Sequence, residues 1–292
     1  MFDSYHMPAL VLTTLLLPAF GYLYLRFRDT RTLLWFLGFL FAIARMLLVY
    51  QLPWWDLSDV TMHPWVAAAS QTSIQICSAL FLGSLSPLRF RIGRLHILYV
   101  IPFTIPLVAY SILFQGVFHG VAPGEPLFLI FPALGGLAVA VGLFWALARG
   151  SMPTWLGGLL CIVVGGAGIW TCFATGGRWP LTLVECANHF MTALLLIFVF
   201  RRFSPGVVLS VMGFSAWSLT VLKMIHAIAL HPVIHMNLDR CVSMGKVVAA
   251  VGMIMLALED ELAINKAAQE RERRARRELE AYANLILSRR KV

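Results

Sequence analysis

Apolar runs of about 20 residues recur along most of this chain, and a helical run of that length matches the hydrocarbon thickness of a bilayer. The runs are Pro8–Leu25, Thr32–Gln51, Pro64–Leu85, Leu95–Gln115, Pro126–Ala148, Thr154–Phe173, Leu181–Phe200, Pro205–Leu230 and Arg240–Leu258. Soluble domains are about half apolar and about a quarter charged. This chain is 60% hydrophobic and 13% charged, so a soluble core is excluded. The expected fold is all-α: a polytopic membrane bundle of about nine transmembrane helices.

The loops set its orientation. Arg26, Arg28 and Arg31 follow the first run, Arg89, Arg91 and Arg94 the third, Arg149 the fifth, and Arg201 and Arg202 the seventh. The intervening loops are poor in Lys and Arg. Basic loops face the cytoplasm, so the N-terminus is expected outside and the C-terminus inside, as in a multi-pass membrane protein. Trp54, Trp55, Trp65 and Trp179 would mark one interfacial belt, and Trp35, Trp145 and Trp155 the other. The net charge of +9 then reports topology, and no nucleic-acid partner is expected. The opening MFDSYH lacks the basic region of a secretory signal, so the first helix is expected to be retained.

Small residues at Ala138, Gly142 and Ala146, and at Gly165, Gly166 and Gly168, suit close helix packing in lipid. Pro102 and Pro106 are expected to bend the fourth run. The five cysteines include no CxxC pair and read as small hydrophobes. A Cys186–Cys241 bridge is the alternative, resting on shared depth alone.

Charged groups inside a span are expensive, and here they share a layer. Arg45, Glu185, Lys223 with His226, and Lys246 come from four runs, each roughly 6–11 Å below the outer surface at 1.5 Å per residue. Glu185, Asn188 and His189 share one helix face, as do Gln71 and Gln75. The functional reading is a ligand pocket open to the outside. Its three cations against one carboxylate favour a small anionic or carboxylated ligand. The bland readings are snorkelling of Arg and Lys to headgroups and a structural pair of Glu185 with Arg45 or Lys246.

No cofactor is expected. A metal or haem held through His189, His226, His231 or His235 is the alternative, but the spacings are not those of a zinc or haem site. Pro232 between His231 and His235 argues against one regular helix there. No GxSxG, HExxH or paired-carboxylate motif occurs, so no catalytic residue and no enzymatic activity are expected of this chain.

After Leu258 the composition changes to EDELAINKAAQERERRARRELEAYANLILSRRKV. It holds strong helix formers and no breaker. Glu270–Arg274 and Glu272–Arg276 are i, i+4 pairs in the favourable order. The last run is therefore expected to continue into the cytoplasm as one helix of about 45 residues, some 70 Å long. Leu258, Leu262, Asn265, Gln269, Glu272, Arg276, Leu279, Ala283 and Ile286 follow heptad steps. They form a seam with apolar ends and a polar middle. A weak homodimeric coiled coil is one reading, and an amphipathic helix lying on anionic lipid the other.

A many-helix membrane region feeding ELAINKAAQERERRARRELEAYANL resembles the sensory input half of bacterial diguanylate cyclases and histidine kinases, with its signalling-helix linker. The resemblance implies a transmembrane sensor bundle over residues 1–258 and a cytoplasmic signalling helix over 259–292. It also implies an output domain, of the diguanylate cyclase kind, as partner. These 292 residues contain no GGDEF signature, phospho-acceptor His box or ATP-binding domain, which puts that output on a longer protein or a separate subunit. A transporter or channel with an oligomerisation tail is a second reading. A lipid-modifying enzyme using Glu185 and His189 is a third.

Overall fold

The apolar runs fold as helices whose ends are set by local backbone chemistry. A computed structural model describes residues 6–50, 64–85, 89–92, 95–98, 104–105, 108–109, 111–117, 178–220 and 232–289. The expected fifth and sixth spans lie outside the described residues, as do Ala138, Gly142, Ala146 and the Gly165–Gly168 cluster. The described helices are α1 (His6–Phe27), α2 (Thr30–Tyr50), α3 (Pro64–Leu85), α4 (Arg178–Phe200), α5 (Pro205–Ser218) and α6 (Pro232–Arg289). Four are long and apolar enough to cross a membrane, over Met7–Phe27, Thr30–Leu48, Pro64–Leu85 and within Arg240–Ala281. Large apolar side chains such as Leu15, Tyr22 and Leu25 face outward on α1, as suits contact with lipid.

Two helices end in the same way. Arg28 and Arg201 take positive φ values of 49° and 48°. Their amides donate back to Tyr24 O at 2.7 Å and Ile197 O at 3.0 Å. This is the single-bond left-handed cap, usually made by Gly. An Arg there carries about 1 kcal/mol of strain. The next helices start on Asp29, whose carbonyl accepts from Thr32 Oγ1 at 2.9 Å, and on Ser204. Ser204 is the N-cap of α5, with Pro205 following. Both connections are therefore tight reversals.

Helix neighbours close into a ring: α1 on α2, α2 on α3, α3 on α4, α4 on α5, α5 on α6, and α6 back on α1. Aromatic rings fill its middle. Phe20 stacks on Phe39 at 4.7 Å, and Phe39 meets Phe81 edge-on at 4.8 Å. Phe81 in turn meets Phe214 at 5.0 Å and Trp217 at 5.8 Å. All five are buried, and such offset and edge-on pairs contribute about 0.5–1.5 kcal/mol each beyond their burial.

The α5–α6 contact is the closest in the ring. The two helices run antiparallel, with Gly206 against Leu256, Ser210 against Gly252, Gly213 against Ala249, and Ala216 and Trp217 against Gly245. A Cβ on Gly245 would lie 2.9 Å from the Ala216 Cβ, so only glycine lets the backbones meet there. Small residues four and three apart give this approach its register.

Two expectations are corrected. The fourth run does not begin as a helix at Leu95. Leu95–Leu98 is a strand, β2, paired antiparallel with β1 (Arg89–Ile92), Ile92 opposite Leu95. Polar and apolar residues alternate through RFRI and LHI, as in strands with one buried face. Further on, Ile112–Val117 is a π-helix. Trp35 is buried among the helices, with Nε1 donating to Ser84 Oγ at 2.9 Å. The last helix begins at Pro232, not Arg240, and spans 58 residues without a break, about 87 Å at 1.5 Å per residue. Pro232 stands at the first position of that helix, where its missing N–H is no loss.

Candidate functional site: a buried polar layer on an aromatic stack

On α4, Glu185, Asn188, His189 and Thr192 recur at three and four residues, so they form one stripe. All four are buried, none more than 2% exposed. The stripe meets α3 on one side and α5 on the other. Asn188 Nδ2 donates to Ser78 Oγ at 3.0 Å, and Ser78 Oγ donates to Gln75 O at 3.0 Å. Gln75 Nε2 donates to Leu181 O at 2.9 Å. Thr192 Oγ1 returns to Asn188 O at 2.7 Å.

Charge enters from two further helices. Arg45 of α2 donates through Nη1 to Glu185 Oε1 at 3.1 Å. The expected pairing of Glu185 with Arg45 is made. The Arg45 side chain is 26% exposed and that of Glu185 2%, so the pair joins the rim to the interior. Lys246 of α6 is buried rather than snorkelling. Its Nζ stands 5.5 Å from the centre of the Trp217 ring. That ring stacks on His189 at 4.2 Å with 19° between planes. A cation held over an indole in a dry site gains up to about 2 kcal/mol.

The layer is under-satisfied. Gln75 Oε1 and Asn188 Oδ1 have no hydrogen-bond partner. His189 leans on the Glu185 carbonyl one turn back, yet neither ring nitrogen completes a hydrogen bond of good geometry. Each such buried group costs about 1–3 kcal/mol. Groups of this kind mark where waters or a ligand with matching donors would be held.

Of the expected ligand-binding residues, the structure joins Arg45 with Glu185, Asn188 with Ser78 and Gln75, and His189 with Lys246 through Trp217. Gln71 shares α3 with Gln75, and its Nε2 is buried without a partner. Lys223, His226 and His231 lie outside the described residues, as does the side chain of His235. Sequence reasoning missed Trp217, Ser78 and Thr192. Trp217 had a signal: it sits within an apolar run rather than at either interfacial belt.

Among the described residues no group of three His, Cys, Asp or Glu side chains could hold a metal ion. Cys77, Cys186 and Cys241 are free thiols, the last exposed and the others buried, so the Cys186–Cys241 bridge is not formed. An apolar cavity of about 470 Å³ opens on a different face of α3, lined by side chains such as Ile76, Leu80, Ile105 and Val108. It shares no residue with the polar layer. Comparison with protein-family models, curated proteins and solved structures finds no match to this chain.

Proposed function

We propose that this chain is a membrane sensory input module. The polar layer perceives a small ligand, and α6 carries the response to a cytoplasmic output domain of the diguanylate cyclase kind. One observation carries the reading: Lys246, in the layer, and Leu279, 69% exposed in the charged tail, belong to the same unbroken helix. Whatever moves Lys246 moves the tail.

The basic turns support the orientation. Arg26, Arg31 and Arg202 gather around the end from which α6 leaves, as a cytoplasmic exit requires. Leu258, Leu262 and Leu279 remain exposed along α6, and a second copy of the chain would cover them as a heptad seam. Glu272 and Arg276 pair within one chain at 2.7 Å, so local charge rather than apolar packing would occupy the middle of that seam. A seam so weakly sealed has two arrangements close in energy, which a small bias can exchange.

Arg45 and Lys246 against Glu185 leave the described layer with a cationic excess, favouring an anionic or carboxylated ligand. The transporter reading fares worse. Among the described residues, the layer is followed towards the α6 exit by Phe39 and Phe81, both fully buried, where a path between these helices would need polar lining.

The test is a fusion of the chain to a diguanylate cyclase reporter, scored by cyclic dinucleotide output. Glu185→Ala and Arg45→Ala should shift output while the protein still inserts and stays monodisperse. Wild-type output from both variants would remove the polar layer from the mechanism.

A further inference from the structure

Just past Leu258, three consecutive carboxylates meet three partners. Glu261 pairs with Arg26 at the end of α1. Asp260 accepts from Arg202 Nη2 at 2.6 Å. Glu259 Oε2 stands 3.5 Å from the same nitrogen, while its Oε1 accepts from the Gly206 amide at 2.9 Å. That amide opens α5, so Glu259 also faces the positive end of a helix dipole.

The supports are themselves fixed. Arg202 and Arg31 lie over the Phe200 ring at 5.7 and 5.2 Å, which joins the α4–α5 turn to the start of α2. Consecutive residues on a helix are about 100° apart, so the three carboxylates fan over roughly 200° of the α6 surface. They are gripped from two sides. A rotation of α6 by one residue step withdraws every carboxylate from its partner, whereas bending of the tail beyond Leu262 withdraws none.

We propose that Glu259, Asp260 and Glu261 form an ionic latch that fixes the rotational setting of α6 against both basic turns and opens as a unit. The latch is separate from the polar layer and does not depend on any ligand. Arg202 serves two of the three carboxylates, so its loss also loosens Arg26–Glu261. Beyond the latch, α6 is helical but exposed, and its exchange with solvent reports whether its root is held.

The experiment is hydrogen–deuterium exchange on the full chain in nanodiscs. Arg202→Gln should speed exchange about tenfold or more across Leu258–Lys266. It should also speed exchange across Tyr24–Phe27, the end of α1 that Glu261 holds through Arg26. Arg26→Glu should do the same, and Arg26→Glu combined with Glu261→Arg should restore slow exchange. Arg202→Lys, a milder change in case Arg202→Gln misfolds, should give an intermediate rate. Exchange within twofold of wild type in Arg202→Gln and Arg26→Glu would overturn the latch. A charge swap as fast as Arg26→Glu alone would also overturn it. Because exchange is read without ligand or output domain, failure of the latch is separable from failure of the sensory reading. A latch that opens while reporter output is unchanged counts against the sensory reading alone.

Discussion

Gly213 and Ala249 touch backbone to backbone: a Cβ built on Gly213 would overlap the Ala249 amide nitrogen and Cα. In lipid, where burial of apolar surface gives no advantage over the bilayer, such packing is what holds helices together. Neither backbone can yield as a side-chain tip can. Gly213→Ala should therefore destabilise the bundle by about 1–3 kcal/mol through overpacking, and Gly213→Leu should separate α5 from α6. Unfolding in bicelles, with wild type as reference, measures the first. Loss of protection across Val242–Leu256 reports the second.

Arg45 and Glu185 should respond unequally to truncation. Removing Arg45 leaves the buried Glu185 carboxylate without its rim partner, a loss of about 1–3 kcal/mol. Removing Glu185 leaves an Arg that reaches the rim and can hydrate. Arg45→Ala should thus be the more destabilising, and Arg45→Ala with Glu185→Gln should recover part of the loss. Equilibrium unfolding of the two single variants and the double variant gives the coupling directly.

His189→Phe separates architecture from perception. Phe keeps the stack on Trp217 and removes two nitrogens that lack well-formed hydrogen bonds, so stability should hold or rise. Under the proposed function, the reporter fusion should lose its response. A His189→Phe variant with normal switching would mean that the layer is structural.

Under the proposed function, the polar middle of the α6 seam should set how readily the tail switches. Replacing Asn265, Gln269, Glu272 and Arg276 with Leu converts it to a continuous apolar strip. Sedimentation should show a tighter dimer, and the fused output should be locked in one state. Normal switching in this variant would exclude a seam that shifts register.

Arg28→Gly should stabilise the α1–α2 turn by up to about 1 kcal/mol, because Gly takes a positive φ without steric cost. Arg28→Val should do the reverse, since a β-branched side chain fits poorly there. Thermal unfolding of the two variants reports the sign.

Features with a local period were legible in the sequence. The Glu185–Asn188–His189 stripe repeats at helical spacing, and the missing breakers after Arg240 foretell a helix that does not stop. Features built from distant residues were not. Gly213 meets Ala249 across a separation that no window covers, and Gly245 and Gly252 look unremarkable without their partners on α5. Glu259, Asp260 and Glu261 read as the first charges of a solvated tail, because their partners lie in two remote turns. The β1–β2 hairpin was hidden by length: an apolar run from Leu95 is long enough to span, and only the alternation before it shows that the chain reverses first.

The closure of the helix ring has a consequence for biosynthesis. Chains are made from the N-terminus, yet α1 finishes its contacts only on α6. Until Glu261 emerges, Arg26 has no carboxylate there, and the glycine face of α5 lies bare in the lipid. The ring therefore stays open until α6 joins α5 to α1. A truncated or stalled product exposes that open seam, the kind of surface by which membrane proteases and chaperones tell unfinished proteins from finished ones.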